Sequence, residues 1–381
     1  MQREHFEPDH LAFGAAVRAF LDKSVVPHYL EWERAGIAPR EMYTEAGRSG
    51  FLGMQIPAEY GGGGTDDFRF NQVLGEQVAA AGTTGAGLGL TLHNDICLPY
   101  FLAYCTEEQR RRWLPGIASG ELITAIAMTE PGTGSDLSGI RTGARRDGDE
   151  YVVNGSKTFI TNGINADLVV TAVRTGEDPH QGLSLLVLER GMPGFERGRN
   201  LDKIGLHSQD TAELSFTDVR VPAANLLGAE GDGFAQLTAK LPQERTSIAI
   251  AALGEARAAF TETLAYVTDR KAFGTSVSSF QNTKFALAEM ITEIDIAQVW
   301  VDRCVQHLNA GDLSTADASK AKYWCTELQG RVVDRCLQLH GGYGYMTEYP
   351  IARRFVDARI TRIYGGTSEI MKSVISRSLG L

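Results

Sequence analysis

Acid–base chemistry in this chain would most simply start at Glu244, in Leu241-Pro242-Gln243-Glu244-Arg245, which is followed by Ile248 and Ile250. A carboxylate serves as a general base near neutral pH when an apolar, partly desolvated setting raises its pKa, because burial disfavours the charged form. The apolar neighbours permit that. The adjacent Arg245 permits the opposite, a helix-surface ion pair with no chemical role, and the string alone leaves both open. Glycine marks a second place where a ligand could come close. Gly132 and Gly134 let the backbone approach one, but a G-x-G without the third glycine and the following acidic residue is a poor dinucleotide fingerprint. Metal and disulfide chemistry are not indicated. Cys97, Cys105, Cys304, Cys325 and Cys336 are odd in number and form no C-x-x-C pair, and the eight histidines show no H-E-x-x-H spacing.

Five strings occur in a fixed order along the chain. They are Ala127-Met128-Thr129-Glu130-Pro131-Gly132-Thr133-Gly134-Ser135-Asp136, Asn154-Gly155-Ser156-Lys157-Thr158-Phe159-Ile160-Thr161-Asn162-Gly163, Asp269-Arg270-Lys271-Ala272-Phe273-Gly274, Gln338-Leu339-His340-Gly341-Gly342-Tyr343-Gly344 and Arg362-Ile363-Tyr364-Gly365-Gly366-Thr367-Ser368-Glu369-Ile370-Met371. Together they resemble the acyl-CoA dehydrogenase family over nearly the whole chain, most closely its long-chain type. Two departures are visible. Thr133 stands where a smaller residue is usual, and Phe159 replaces a frequent Trp. A third concerns chemistry: most of the family carry Glu at the position of Gly365, where it removes the α-proton of the thioester. Glycine has no side chain to do so. A minority branch carries its catalytic Glu at the position of Glu244, so the resemblance implies that Glu244 is the base.

Oxidising an acyl thioester between Cα and Cβ needs a base, a hydride acceptor and a dipole clamp on the thioester carbonyl. FAD is the implied acceptor, since a flavin takes hydride directly. Gly365 is implied in the clamp through its backbone N–H, and losing one such donor typically costs about 3 to 4 kcal/mol in the transition state. Tyr364, Arg245 and Ser135 are implied beside the substrate, with core packing for Tyr364 and an ion pair for Arg245 as alternatives. By the same resemblance Ile126, Ala127, Met128, Thr129, Phe159, Ile160 and Thr161 border the isoalloxazine, and Gly134 and Ser135 the pyrophosphate. Arg270, Phe280, Gln281, Gln338, Leu339, His340, Gly341, Gly342, Gly366, Thr367, Ser368 and Glu369 would hold the adenosine diphosphate half. Arginine suits a diphosphate because its planar fork donates charged hydrogen bonds in pairs. The alternative for each is ordinary sheet core or turn geometry. Because relatives share some of these groups between subunits, a homotetramer is implied.

The expected product is a trans-2-enoyl-CoA from a medium-chain, long-chain or branched acyl-CoA, with electrons passed to an electron-transfer flavoprotein. Two neighbouring possibilities are an acyl-CoA oxidase and a dehydrogenase of carrier-protein-bound acyl groups. A possibility of another class is a flavin-binding scaffold without activity, which the missing Glu at 365 raises and Glu244 opposes. Gly85-Ala86-Gly87-Leu88-Gly89 either leaves room for an acyl tail or lets helices pack closely.

Such chemistry needs elements to hold it. The chain has 381 residues, 43% hydrophobic and 22% charged, with a formal charge of −10. That is enough for two or three domains and leaves no basic stripe for nucleic acid. No apolar run is long enough to span a bilayer. The N-terminus lacks the look of a signal or transit peptide, and a reducing cytoplasm fits the unpaired cysteines. Residues 1–122 read as a helical domain. Its first helix carries Leu11, Phe13, Ala16, Val17, Phe20 and Leu21 at three- and four-residue steps after an Asp9 cap. Thr106-Glu107-Glu108-Gln109 is a capping box, Arg110-Arg111-Arg112 a solvated helix face, and Gly61-Gly62-Gly63-Gly64 a flexible loop. Residues 123–227 read as an antiparallel sheet or barrel of short strands, with Asn154-Gly155 as a tight hairpin turn. Residues 228–381 return to helices, over about 233–270, 278–310, 314–341 and 366–379. This α, then β, then α order gives an α+β multidomain fold with a C-terminal four-helix-bundle-like domain. It excludes a Rossmann fold, which alternates strands and helices.

Overall fold

The computed structural model describes residues 3–381. It opens with helices α1 (Pro8–Phe20), α2 (Tyr29–Ala35), α3 (Arg40–Arg48), α4 (Arg69–Ala80), α5 (Thr84–Thr91), α6 (Leu98–Tyr104) and α7 (Glu107–Ser119). Strands β1 (Thr124–Ala127), β2 (Gly143–Asp147), β3 (Glu150–Thr161), β4 (Leu168–Arg174), β5 (Leu183–Glu189), β6 (Phe195–Asn200), β7 (Thr211–Pro222) and β8 (Leu226–Leu227) follow. The chain ends in α8 (Gly233–Asp269), α9 (Gln281–Ala310), α10 (Thr315–His340), α11 (Pro350–Asp357) and α12 (Ser368–Ser378). No helix among the described residues is long and apolar enough to cross a membrane.

Local chemistry explains the boundaries that matter. The Thr106 side chain accepts from Gln109 N and the Gln109 side chain returns the bond, which starts α7; Gly120, at φ 75°, closes it. α1 starts earlier than Asp9 would set it: the cap is Glu7, paired reciprocally with His10, and Pro8 takes the first turn, where its missing N–H costs nothing. Gly61 to Gly64 form a bonded turn, not a flexible loop, with Gly63 N donating to Gly53 O and Gly64 N to Ile56 O.

The sheet runs β6-β7-β3-β2-β4-β5-β8, and β1 joins β4. Most pairs are antiparallel, but β1 lies parallel to β4, with Thr124 opposite Leu168, so the sheet is mixed. Asn154-Gly155 is not a hairpin turn. β3 continues through it, and the register against β7 shifts between Val153 and Gly155. Gly155 sits at φ 145°, and a Cβ there would lie 2.6 Å from Thr142 Oγ1, so a glycine bulge lets β3 pass the neighbouring chain. The turn proper is at Gly148, at φ 64°. β4 is buried on both faces, which is why Leu168 to Val173 form a continuous apolar run without alternation.

The last domain packs α8, α9 and α10 around Leu253, Ala256, Met290, Ile294, Ala297, Leu328 and Val332. α9 contributes Leu287, Met290, Ile294, Ala297 and Val301 at helical spacing. Gly85 to Gly89 lie inside α5. A Cβ at Gly87 would meet Val78 Cγ1 of α4 and one at Gly89 would meet the Tyr43 hydroxyl, so these glycines serve close helix packing.

Candidate active site

Glu244 sits on α8, two residues after Pro242, and is 3% exposed. The helix-surface reading therefore fails. Tyr100, on α6, donates its hydroxyl to Glu244 Oε1 at 2.8 Å. Burial pushes the carboxyl up to about 7, against the smaller opposing pulls of that bond and of Arg245. A carboxylate with that pKa is poised to accept a proton near neutral pH. Arg245 is equally buried; its Nη1 donates to Ser319 Oγ at 3.1 Å, and its Nε has no partner among the described residues.

Gly365 faces this helix. Its φ is 63°, and a Cβ there would run into Ile248 Cδ1. Ile248 is one turn on from Glu244 on the same face of α8, so it fills the space a side chain at 365 would take. Gly366 follows at φ 92°, with Arg245 Nη2 3.9 Å from where its Cβ would stand. Neither the Gly365 nor the Gly366 N–H finds a protein acceptor among the described residues. The arrangement is a poised carboxyl beside a pair of free backbone donors, with Tyr364 half-buried at their edge.

The ends of β1 and β3 are held together by a buried pair. Lys157 Nζ donates to Met128 O at 3.0 Å and to Glu130 Oε1 at 2.9 Å. Glu130 also accepts from Arg141 N and Thr142 N, both at 2.8 Å. Thr158 N donates to Thr129 O at 2.9 Å. These bonds bring Met128 and Thr129 alongside Thr158 to Thr161, where a cavity of about 720 Å³ opens. Leu88, Leu206, Ile360 and Tyr364 give it apolar walls, and Thr158, Thr161 and Gln209 give it a polar edge. Its volume and lining suit a flat heterocycle such as isoalloxazine. Phe159 stands at its mouth with φ 59° and 68% exposure, a backbone conformation unusual for a bulky residue. Ile160 and Ala127 turn their side chains into the sheet core and Ile126 into the core on its other side, so only their backbone can face that cavity. Gly134 and Ser135 are exposed, with nothing near the Cβ position of Gly134.

The remaining residues of interest fall into two groups. Arg270, Gln338, Leu339, His340, Gly341 and Gly342 line a second cavity of about 470 Å³, where Arg270 lies over Tyr343 at 5.3 Å and His340 stacks on Tyr266. Phe280 caps α9 beside Gln281, which is exposed. Gly366 to Glu369 lie elsewhere, opening α12: Thr367 accepts from Ile370 N, Ser368 donates to Glu327, and Lys322 Nζ of α10 donates to Gly366 O at 2.6 Å. Lys322 and His340 are separated by roughly 27 Å of α10 at 1.5 Å per residue, so the two groups cannot both touch one adenosine diphosphate within one protomer. An arginine over an open glycine turn fits a diphosphate, and the apolar cavity fits the ring.

Tyr100, Asp95 and Lys322 carry no local sequence signature and emerge only here, as does the partner of Lys157, which itself lies in one of the five strings. Asp95 lies in the π-helical stretch Leu92–Cys97. It accepts from Ser247 Oγ at 2.5 Å and Asn71 Nδ2 at 2.7 Å, and its carboxyl is pushed up by burial to about 6.

Three family models match the chain: the acyl-CoA dehydrogenase N-terminal domain over residues 7–121, the middle domain over 125–219 and the C-terminal domain over 231–380. The long-chain specific acyl-CoA dehydrogenase of Sus scrofa mitochondria is 48% identical over 99% of this chain and 88% of its own length. The crystal structure of an acyl-CoA dehydrogenase from Geobacillus kaustophilus is 51% identical, covers both chains fully and superposes with a TM-score of 0.97. A glutaryl-CoA dehydrogenase from Mycobacterium smegmatis in complex with FADH2 is 29% identical over 98% of this chain and 95% of its own, with a TM-score of 0.92.

Proposed function

Since the chain belongs to the acyl-CoA dehydrogenase family and is an oxidoreductase of that family's three-domain fold, we propose that it converts medium- to long-chain or branched acyl-CoA thioesters to trans-2-enoyl-CoA, with Glu244 as the base. The observation that carries this reading is the buried Glu244 carboxyl, raised to about 7 and one helical turn from Ile248, the side chain that packs against Gly365.

FAD, when bound, supplies the hydride acceptor. Thr129, Thr158, Phe159 and Thr161 would border its ring, and Arg270 with Gln338 to Gly342 would hold the diphosphate of a neighbouring subunit's FAD in a homotetramer. Glu244 takes the α-proton at its carboxylate, and Tyr100 holds one oxygen so that the other points into the site. The free N–H of Gly365 donates a hydrogen bond to the thioester oxygen and stabilises the negative charge that develops there. Ile248 and Tyr364 exclude water around the reacting carbons, which strengthens both interactions. We place the domain limits at 1–122, 123–227 and 228–381, the electron acceptor as an electron-transfer flavoprotein, and the compartment as a reducing cytoplasm, consistent with five buried free thiols.

Anaerobic titration of the FAD-loaded protein with saturated acyl-CoAs of increasing length tests the reading. Bleaching of the flavin by one length class supports it and identifies the class. A protein that holds FAD and is bleached by none of them sinks it in favour of a carrier-linked substrate or an inactive scaffold.

A further inference from the structure

Lys322 is fully buried, and among the described residues no carboxylate lies within ion-pairing distance of its ammonium. One of its three donors is spent on the Gly366 carbonyl, at 2.6 Å. Taking an ammonium out of water without a counter-charge is costly, so this placement calls for a reason beyond packing. The groups that face it are Arg245 from α8, Glu327 on α10 itself and Glu369 from α12.

Gly365 and Gly366 are consecutive residues at φ 63° and 92°. Two glycines in succession have wide conformational freedom, and a backbone donor helps a reaction only when its direction is fixed beforehand. Ile248 bounds the segment on one side, and Met371 Cε lies 2.7 Å from the Cβ position of Gly366 on another. These contacts limit the space but do not anchor the backbone. Lys322 anchors the far end of the segment, at the Gly366–Thr367 peptide, through a charged hydrogen bond, which is shorter and stronger than a neutral one, and so narrows the φ and ψ open to the two glycines before it.

We propose that Lys322 is the positioning residue of the thioester clamp: by holding the Gly366 carbonyl it fixes the Gly365–Gly366 turn and aims the Gly365 N–H at the thioester oxygen. The same charge stands on the side of the site where the oxygen becomes negative, beside Arg245. The inference rests on the proposed roles of Glu244 and Gly365. Burial first, and Arg245 next, lower the Lys322 ammonium to about 8, while Glu327 and Glu369 oppose the shift. The clamp should therefore slacken at alkaline pH, as the ammonium loses its proton.

The test compares FAD-loaded wild type, Lys322→Met and Lys322→Arg by anaerobic stopped-flow bleaching, and by the ¹³C shift of an enoyl-CoA labelled at its carbonyl carbon and bound to each protein. Lys322→Met should lower the bleaching constant about 100-fold, the size expected for a small misplacement of a reacting group. Its acyl-CoA affinity should change little, and the carbonyl shift should move to its value in free solution. Lys322→Arg should recover most of the rate and abolish the decline above pH about 8 that wild type shows. Lys322→Met that keeps both the wild-type rate and the wild-type ¹³C shift overturns the proposal. If Lys322→Met does not fold, Lys322→Arg decides, and an alkaline decline that persists in it overturns the proposal as well. A wild type that bleaches while its bound carbonyl keeps the free shift counts against the clamp alone. A wild type that does neither removes the roles of Glu244 and Gly365 and this inference with them.

Discussion

At the scale of single residues, the site holds a carboxyl in a place that penalises its charge. Glu244→Gln keeps the shape and the Tyr100 contact but removes the proton acceptor, so flavin bleaching should fall by roughly three orders of magnitude or more while FAD and thioester still bind. A carboxyl in the role proposed for Glu244 works only when ionised, so the bleaching rate should climb as pH rises through about 7. Stability should move the other way. The folded pKa is raised above the ordinary 4.5, so the contribution of this group is fully present below pH about 4.5 and is lost as pH rises through about 7. Glu244→Gln should therefore be more stable than wild type by about 1 to 3 kcal/mol at pH 8, and the gain should vanish in acid. Denaturant midpoints at the two pH values measure it, and equal stabilities at both would show that Glu244 is not desolvated. Gly365 sets a complementary constraint. Gly365→Ala must place a Cβ at positive φ and against Ile248, which should cost about 2 kcal/mol. Gly365→Ala should cost less in an Ile248→Ala background than in wild type, and a thermal-unfolding penalty of the same size in both backgrounds would contradict the contact. The same clash predicts that moving the glutamate to 365 fails unless Ile248 is trimmed with it.

At the scale of elements, the Lys157–Glu130 pair is what joins β1 to β3 at the edge of the larger cavity, and neither partner can be removed cheaply. Lys157→Met leaves Glu130 buried with an uncompensated charge and should cost about 3 to 5 kcal/mol, with release of FAD on gel filtration. Glu130→Gln in the same chain removes that charge and should recover much of the loss; a double variant as unstable as the single would mean that packing, not charge, is at work. Much of this level is legible in sequence. The shift from helical spacing to short β-rich runs and back gives the order of the three layers, and Thr106 to Gln109 announce the start of α7. Other features are not legible because their causes are distant. The glycine after Asn154 answers to Thr142 on a neighbouring stretch of chain, so a local turn signal misleads. β1 pairs in parallel with β4, more than forty residues on, and no local pattern encodes that partner. The glycines of α5 answer to Val78 and Tyr43. The pairing of an absent carboxylate at 365 with Glu244 is visible as a motif. Tyr100 and Lys322 are invisible there, because they reach the site from α6 and α10 and carry no signature of their own.

At the scale of the whole molecule, the distances inside one chain bear on how many chains make a site. Gly365 packs against Ile248, one turn from Glu244, and its neighbour Tyr364 lines the β3 cavity, whereas Arg270 and the Gln338 to Gly342 turn line a cavity at the far end of α10. Around that second cavity Phe273, Tyr343, Tyr345 and Met346 are exposed, an apolar surface of the kind that ordinarily meets a partner. In a two-fold pair of subunits, each site would draw its base from one chain and its Arg270 from the other. The consequence is sharp in a mixture of two defective chains. Arg270→Ala should hold FAD weakly and be nearly inactive, and Glu244→Gln should hold FAD and be inactive. Co-expressed in equal amounts, half of the pairs are hybrids, and each hybrid contains one site with both an intact Glu244 and an intact Arg270. Activity should therefore return to about a quarter of wild type, from two chains that are inactive alone. If Arg270 instead serves the site of its own chain, no hybrid site is complete, and the mixture should remain as inactive as its parents.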